Sequence, residues 1–164
     1  MSDVEKLAAL AIDCGLSIHC DLGPGLLESV YETLLAAKLA RSGVRVERQK
    51  PVDIEYEGIR LREGFRADLL VDGLLIIEVK SMERLAAVHS RQVLTYLRLL
   101  GLPSGLLMNF GGETFREGLR RVMNDRGPVR PESAATTAPG MPACPTWTED
   151  RPRPPSPRSR ASGR

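Results

Sequence analysis

Apolar residues recur along the first 125 positions with two periods, one of three to four residues and one of two residues. The longer period is typical of helices that bury one face. A cap at Ser2 or Asp3 begins the first predicted helix, which is expected to end between His19 and Leu22. Three further helices are predicted over residues 27–41, 84–100 and 113–124.

The shorter period begins at Val44 and predicts β-strands. These strands cover residues 44–49, 52–56, 59–62 and 105–110. Pro51 separates the first two, and Glu57-Gly58 forms a turn before the third. Helices followed by strands, then a helix and a strand, indicate an α/β domain with a central sheet.

The stretch from Arg66 to Ser81 reads as a hairpin whose strands join at Asp72-Gly73, a dipeptide typical of such turns. Side chains alternate along a strand, so the number of loop residues decides which residues share a face. An odd number gives one wholly apolar face, which consists of Ala67, Leu69, Val71, Leu75, Ile77 and Val79. The other face then carries Arg66, Asp68, Leu70, Leu74, Ile76, Glu78 and Lys80. A two-residue loop would mix charged and apolar residues, so we predict a three-residue loop with its glycine in the left-handed conformation, or an equivalent bulge.

The predicted register brings two carboxylates, Asp68 and Glu78, onto one side of a buried hairpin with Lys80. Carboxylates that converge near an apolar sheet need a compensating cation. Lys80 supplies one positive charge, and a divalent ion such as Mg²⁺ or Mn²⁺ is the other candidate. An ordinary charged strand end with an ion pair at its solvent side explains the hairpin alone equally well.

Charge and composition divide the chain near Asp125. Residues 1–125 carry 16 Lys and Arg against 18 Asp and Glu, whereas residues 126–164 carry 7 against 3. Nine of the 12 prolines lie in the second part, which is also rich in Arg and Ser. We therefore predict a folded domain over 1–125 and a disordered tail over 126–164, in which Trp147 is most simply a stray aromatic residue. The folded part lacks the positive charge for broad capture of nucleic acid.

The cysteines and the apolar runs indicate the cellular compartment of the protein. Cys14, Cys20 and Cys144 do not have the spacing of metal ligands, and scattered thiols suit a reducing compartment. Cys14 is expected to be a small core residue. No apolar run reaches the length of a membrane span, so we expect a cytoplasmic protein without membrane attachment.

A heptapeptide near the start of the second helix, GLLESVY at 25–31, adds a motif of higher specificity. Glu28 lies in the first turn of that helix, where the helix dipole alone would favour a carboxylate. Tyr31 lies one turn later on nearly the same face. Further matching segments are LGPG at 22–25, GFRAD at 64–68, EVK at 78–80, VHSRQVLTY at 88–96 and NF at 109–110.

These segments together resemble the GxxExxY protein family, a branch of the PD-(D/E)xK nuclease superfamily, over residues 4–124. The resemblance implies a restriction-endonuclease-like core with a central mixed β-sheet flanked by helices. It implies that Asp68, Glu78 and the main-chain carbonyl of Val79 bind Mg²⁺ or Mn²⁺. It also implies that Lys80 positions or activates the attacking water, and that Glu28 completes the metal shell or acts through a water.

The resemblance assigns supporting roles to residues outside the hairpin. Gln92 and Tyr96 match a motif whose side chains support the lysine and the DNA, and one helical turn separates them. Without the other motifs, they would be a polar and an aromatic residue at the edge of a helix face. Gly25 and Tyr31 belong to the early motif and are expected to bind substrate or support the site.

Two functions follow from the resemblance. The first is a metal-dependent deoxyribonuclease, bacterial and cytoplasmic, that acts in repair, recombination or defence. The second is a catalytically silent module of the same fold that binds nucleic acid or a protein. A domain this small and slightly acidic is expected to need a protein partner or self-association to hold DNA.

Overall fold

A computed structural model describes residues 2–125, and the predicted tail at 126–164, with Trp147 and Cys144, lies outside the described residues. The elements in chain order are α1 (Asp3–Leu22), α2 (Glu28–Arg41), β1 (Val46–Tyr56), β2 (Ile59–Val71), β3 (Leu75–Lys80), α3 (Ala87–Leu100), β4 (Ser104–Asn109), α4 (Phe115–Gly118) and β5 (Leu119–Met123). Among these helices, none is long and apolar enough to cross a membrane.

The five strands form one mixed sheet in the order β1-β2-β3-β4-β5. Strands β3 and β4 are parallel because α3 connects them, and all other neighbours are antiparallel. Helices α1 and α2 pack on one face of the sheet through a core that includes Tyr31, Leu35 and Leu69. Helix α3 packs on the other face through Val93 and Leu97. This arrangement confirms the predicted α/β fold with a central mixed sheet between helices.

The first two helices agree with their predicted bounds. Ser2 caps α1, since its hydroxyl accepts a hydrogen bond from the backbone N–H of Glu5. The Glu5 carboxylate in turn accepts a hydrogen bond from the N–H of Ser2 at 2.9 Å, which completes a capping box. Cys14 is buried in the core between α1 and the sheet, as predicted.

The predicted three-residue loop of the hairpin is confirmed. The pairs Leu69–Ile77 and Val71–Leu75 leave Asp72, Gly73 and Leu74 in the loop. Gly73 has a φ of 71°, and Asp72 also has a positive φ of 50°. The apolar face of β3 therefore packs under α1 and α2, as burial required.

One residue of that predicted face is wrong. Ala67 belongs to the core beside α3, whereas Leu69 belongs to the core beside α1 and α2. Alternation therefore slips at Asp68, where regular pairing of β2 with β3 ends. At the same place, the Asp68 carboxylate accepts the N–H of Val79 at 2.9 Å.

The predicted break at Pro51 is wrong, and so is the separate strand at 59–62. Strand β1 continues through Pro51, which pairs with Arg66. Because β1 lies at the edge of the sheet, a residue without an N–H is tolerated there. Residues 59–62 begin the long strand β2, and the pairing shifts between Val52 and Ile54.

The predicted starts and types of two later helices need correction. Helix α3 starts at Ala87 rather than 84, because Asn109 holds the preceding segment through two hydrogen bonds to the backbone of Met82. The helix predicted over 113–124 is only α4, and residues 119–123 form β5 against β4. Gly118 makes this turn possible, since a Cβ there would lie 2.3 Å from the carbonyl oxygen of Asn109. Strand β4 begins at Ser104 and ends at Asn109, one residue before the prediction at each end.

Candidate active site

Two carboxylates from adjacent strands form the centre of the candidate site. Asp68 is half-buried on β2, and its Oδ2 accepts the N–H of Val79 on β3. Glu78 lies on β3 and is only 3% exposed. The slip of alternation at Asp68 brings its carboxylate to the place where β2 and β3 separate. The structure thus brings the two predicted carboxylates close to each other.

Burial and mutual repulsion destabilise the charged form of both carboxylates. Burial raises the pKa of Asp68 above its usual value, although the N–H of Val79 and the charge of Lys80 act in the opposite direction. Burial also raises the pKa of Glu78, and the neighbouring Asp68 charge raises it further. A cation at this place would therefore stabilise the ionised pair.

Lys80 supplies part of that positive charge. Its Nζ lies 2.8 Å from Oε1 of Glu78, and both side chains are largely buried. Burial alone would lower the pKa of Lys80, but the hydrogen bond to Glu78 and the charges of Glu78 and Asp68 raise it. The Lys80 side chain is consequently an ammonium ion next to the two carboxylates.

One oxygen of this cluster is left without a partner. Within the described residues, Oε2 of Glu78 is buried and accepts no hydrogen bond. An unpartnered buried carboxylate oxygen is costly unless a ligand or an ion contacts it. Two carboxylates with a free oxygen fit Mg²⁺ or Mn²⁺, which bind hard oxygen ligands and keep several waters.

The number of carboxylates grouped at this place is small for a metal site. In the described part of the chain, no three His, Cys, Asp or Glu side chains are grouped closely enough to hold a metal ion. Glu28 is therefore not assembled with Asp68 and Glu78 into a closed shell. Magnesium is commonly held by only one or two carboxylates together with water and substrate phosphate. Asp68 and Glu78 match that pattern.

An open pocket of about 520 Å³ lies beside Asp68. Its lining residues come from α2 and the segment before it, from β1 and β2, and from the end of β3 and the residue after it: Leu26, Leu27, Glu28, Ser29, Glu32, Gln49, Asp68, Val79 and Ser81. Glu28 is exposed, and its Oε1 accepts the N–H of Ser81 at 3.1 Å. The pocket thus gives solvent and a ligand access to Glu28, Asp68 and Val79 together.

Gly25 and Tyr31 hold the segment before α2. Gly25 has a φ of 117°, which strongly favours glycine. The hydroxyl of Tyr31 donates to the carbonyl of Gly23 at 2.6 Å and accepts the N–H of Leu26 at 3.2 Å. The Tyr31 ring is fully buried and stacks on Phe110. Tyr31 therefore supports the segment that leads into Glu28, and it is not among the residues that line the pocket.

Gln92 and Tyr96 meet on α3, on the opposite side of the sheet from α2. The amide of Gln92 donates to the Tyr96 hydroxyl at 2.5 Å. The Tyr96 ring stacks on Phe65 of β2, with ring centres 3.8 Å apart. Burial raises the pKa of Tyr96, and the negative charge of Glu78 adds to that effect. This pair thus lies near the Glu78 and Lys80 side of the site.

Sequence reasoning missed Glu32 and Gln49. Glu32 lies one helical turn after Glu28 and is 6% exposed, while Gln49 lies opposite Asp68 on β1. The amide of Gln49 donates to Oε2 of Glu32 at 2.7 Å and to Oδ1 of Asp68 at 3.2 Å. The spacing of Glu32 from Glu28 was a visible signal, since residues four apart share a helix face. Nothing in the sequence marks Gln49.

Comparison with known proteins agrees with this architecture. A family model described as the PD-(D/E)XK nuclease superfamily matches residues 5–122, which is most of the chain and includes every residue of the candidate site. No curated protein and no solved structure matches the chain. The length of the family match shows that the chain belongs to the PD-(D/E)XK nuclease superfamily.

Proposed function

We propose that this protein is a metal-dependent nuclease of the GxxExxY branch that hydrolyses phosphodiester bonds of DNA. The observation that carries the proposal is the convergence of Asp68, Glu78 and Lys80, with one buried oxygen of Glu78 left without a partner. Membership of a nuclease superfamily supports the reaction class. The fold alone would not support an activity, and the site residues add the chemistry.

The proposed metal ligands are Asp68, Glu78 and the main-chain carbonyl of Val79. A bound Mg²⁺ or Mn²⁺ supplies charge neutralisation at the scissile phosphate and lowers the pKa of a bound water. Asp68 and Glu78 lie where β2 and β3 separate, and Glu78 stays paired with Leu107 of β4. The N–H of Val79 orients the Asp68 carboxylate by donating to its Oδ2.

Lys80 acts in this proposal as a fixed positive charge. Its ammonium group pairs with Glu78 and can donate hydrogen bonds to a phosphate oxygen or to the attacking water. Because the neighbouring carboxylates favour its protonated form, we assign it charge stabilisation and water positioning rather than proton removal.

Glu28 and the pair on α3 complete the proposed site. Glu28 lines the pocket from the first turn of α2. From there it can contact a metal ligand through a water. Gln92 and Tyr96 lie near the Glu78 side and are proposed to support Lys80 and the substrate.

The proposed setting is DNA repair, recombination or defence in the cytoplasm of a bacterium. Residues 1–125 carry more acidic than basic residues, so electrostatic capture of DNA by this domain is weak. We therefore propose that a protein partner or a second copy of the chain helps to hold the substrate.

A silent binding module is the second candidate. It is favoured because most polar atoms of the site already make hydrogen bonds or ion pairs with other protein groups. Both oxygens of Asp68 accept hydrogen bonds from the protein, and Lys80 occupies one oxygen of Glu78. Such a module would bind nucleic acid or a protein without turnover.

A cleavage assay with Mg²⁺ or Mn²⁺ separates the two candidates. Linear, circular and single-stranded DNA and RNA are incubated with the wild type, Asp68→Ala and Lys80→Ala. Glu55→Ala is the matched control, since Glu55 is an exposed carboxylate that pairs with Arg60 on the far part of the β1–β2 hairpin. The nuclease proposal expects cleavage by the wild type and the control alone. Preserved metal-dependent cleavage by Asp68→Ala would rule out the assignment, and binding without cleavage would favour the module.

A further inference from the structure

Gln49 adopts a backbone conformation that is unusual for a residue within a β-strand. Four non-glycine residues in the described part of the chain have a positive φ, namely Gln49, Glu57, Glu63 and Asp72. Glu57 and Asp72 lie in turns, and Glu63 lies where the β1–β2 pairing shifts. Gln49 instead lies within β1, between the pairs Arg48–Leu69 and Lys50–Ala67 and beside the slip of alternation at Asp68. Glutamine is not among the side chains enriched in this conformation, so the surrounding contacts must hold it there.

The contacts of the Gln49 side chain indicate what holds it. Its amide nitrogen donates to two carboxylates at once, Glu32 of α2 and Asp68 of β2. Glu32 is a firm anchor, since it is buried and its other oxygen accepts the Nε–H of Arg48 at 3.0 Å. Gln49 thus links the helix that carries Glu28 to the carboxylate at the centre of the site.

The linkage fixes the orientation of Asp68 from both sides. Oδ2 of Asp68 accepts the N–H of Val79, and Oδ1 accepts the amide of Gln49. A neutral amide can hold a carboxylate without introducing a competing positive charge, so the full charge of Asp68 remains for a cation. Groups that orient metal ligands in this way commonly affect metal affinity about tenfold or more.

We infer that Gln49 is a positioning residue: its strained backbone aims one amide at Glu32 and Asp68 and so presets Asp68 for a divalent metal. This inference rests on the proposed function, because it assigns a metal to Asp68. It also makes α2 part of the site through Glu32, and not only through Glu28.

The test asks whether Gln49 positions Asp68 or only supports the structure. It uses a variant that relieves the backbone strain at Gln49 and removes its side-chain amide. Gln49→Gly keeps the positive φ without cost from a side chain, but leaves Asp68 without its second donor. Glu57→Gly is the matched control, since it makes the same backbone change in a turn of the same hairpin. Mn²⁺ binding is measured by electron paramagnetic resonance, and thermal melting is measured on the same metal-free samples.

We expect Gln49→Gly to bind Mn²⁺ about tenfold more weakly than the wild type, with a Tm within about 3 °C of it. Glu57→Gly should bind Mn²⁺ as the wild type does. Gln49→Asn provides a second variant if the glycine protein folds poorly: asparagine tolerates the positive φ, but it is one methylene shorter and cannot reach both carboxylates. It should also bind Mn²⁺ more weakly.

The outcomes distinguish this inference from the proposed function. Wild-type Mn²⁺ affinity in Gln49→Gly and Gln49→Asn overturns the role of Gln49 and leaves the nuclease proposal intact. A loss of affinity that Glu57→Gly shares also overturns it. Weak binding only in the Gln49 variants supports the inference even if the wild type cleaves no substrate, which would count against the nuclease alone. A wild type that binds no Mn²⁺ overturns both.

Discussion

Replacing Asp68 with asparagine should separate catalysis from stability, because the two side chains have nearly the same shape. Asparagine can still accept the N–H of Val79, so the contact that closes the gap between β2 and β3 is kept. The bond from Gln49 is lost, since an amide nitrogen cannot accept it. One hydrogen bond near the surface contributes about 0.5–1.5 kcal/mol. Removing a half-buried charge whose pKa is raised by burial acts in the opposite direction.

These two effects largely offset each other, so the free energy of unfolding should change by no more than about 1 kcal/mol. For a domain of this size, the corresponding change in Tm is about 3–5 °C. The cleavage rate should change much more than the stability. A metal ion that neutralises phosphate charge is worth several kcal/mol in the transition state, and about 4 kcal/mol corresponds to about 10³ in rate.

The assay measures metal-dependent cleavage and thermal melting on one preparation of each protein. We expect Asp68→Asn to lose about 10³-fold or more in rate with little change in Tm. Asp72→Asn is a suitable control, because this aspartate caps the hairpin loop through the N–H of Arg45 and lies away from the pocket. Rates of Asp68→Asn within a few-fold of the wild type would refute the role of Asp68. A fall in rate matched by unfolding would assign the effect to stability.

Three further predictions follow from the same site and fold. Lys80→Ala should abolish cleavage and also lower Tm in the metal-free protein, because it leaves Glu78 buried without its partner; a Tm equal to that of the wild type would contradict this. Because the pKa values of Asp68 and Glu78 are raised in the folded state, that state binds protons more tightly than the unfolded state. The contribution of these two groups to stability is therefore present at low pH and is lost as pH rises through their raised pKa values. Metal-free melting temperatures should therefore fall as pH rises above the usual carboxyl range, more steeply than in Glu78→Gln, and saturating Mg²⁺ should reduce the fall. Gly118→Ala should destabilise the protein by about 1–3 kcal/mol in chemical denaturation, since its Cβ would meet the carbonyl of Asn109; a stabilised variant would instead fit a continuous helix over 113–124.

The sequence was most informative where burial and turn chemistry agree. The alternation of apolar residues around Asp72-Gly73 allowed only one register, and the structure has the three-residue loop that this register requires. The same alternation predicted that Asp68 and Glu78 lie near each other. It did not predict the slip at Asp68 that moves Ala67 to the other core.

Features set by distant contacts could not be predicted. Strand β5 exists because Gly118 packs closely on Asn109, and no local pattern reveals that approach. Pro51 looked like a break because its place at the edge of the sheet is a property of the whole topology. Gln49 is an ordinary polar residue in the sequence, and only its φ of 47° and its two carboxylate partners mark it.

In the proposed mechanism, a divalent ion held by Asp68 and Glu78 enables phosphodiester cleavage. Its most direct test follows DNA cleavage by the purified wild type before chelation, after removal of divalent ions with EDTA, and after Mg²⁺ or Mn²⁺ is restored in excess, with Asp68→Ala treated in parallel. We expect wild-type cleavage to stop with EDTA and to return with the metal, while Asp68→Ala stays inactive throughout. Cleavage that persists in EDTA, or that returns equally in Asp68→Ala, would contradict it.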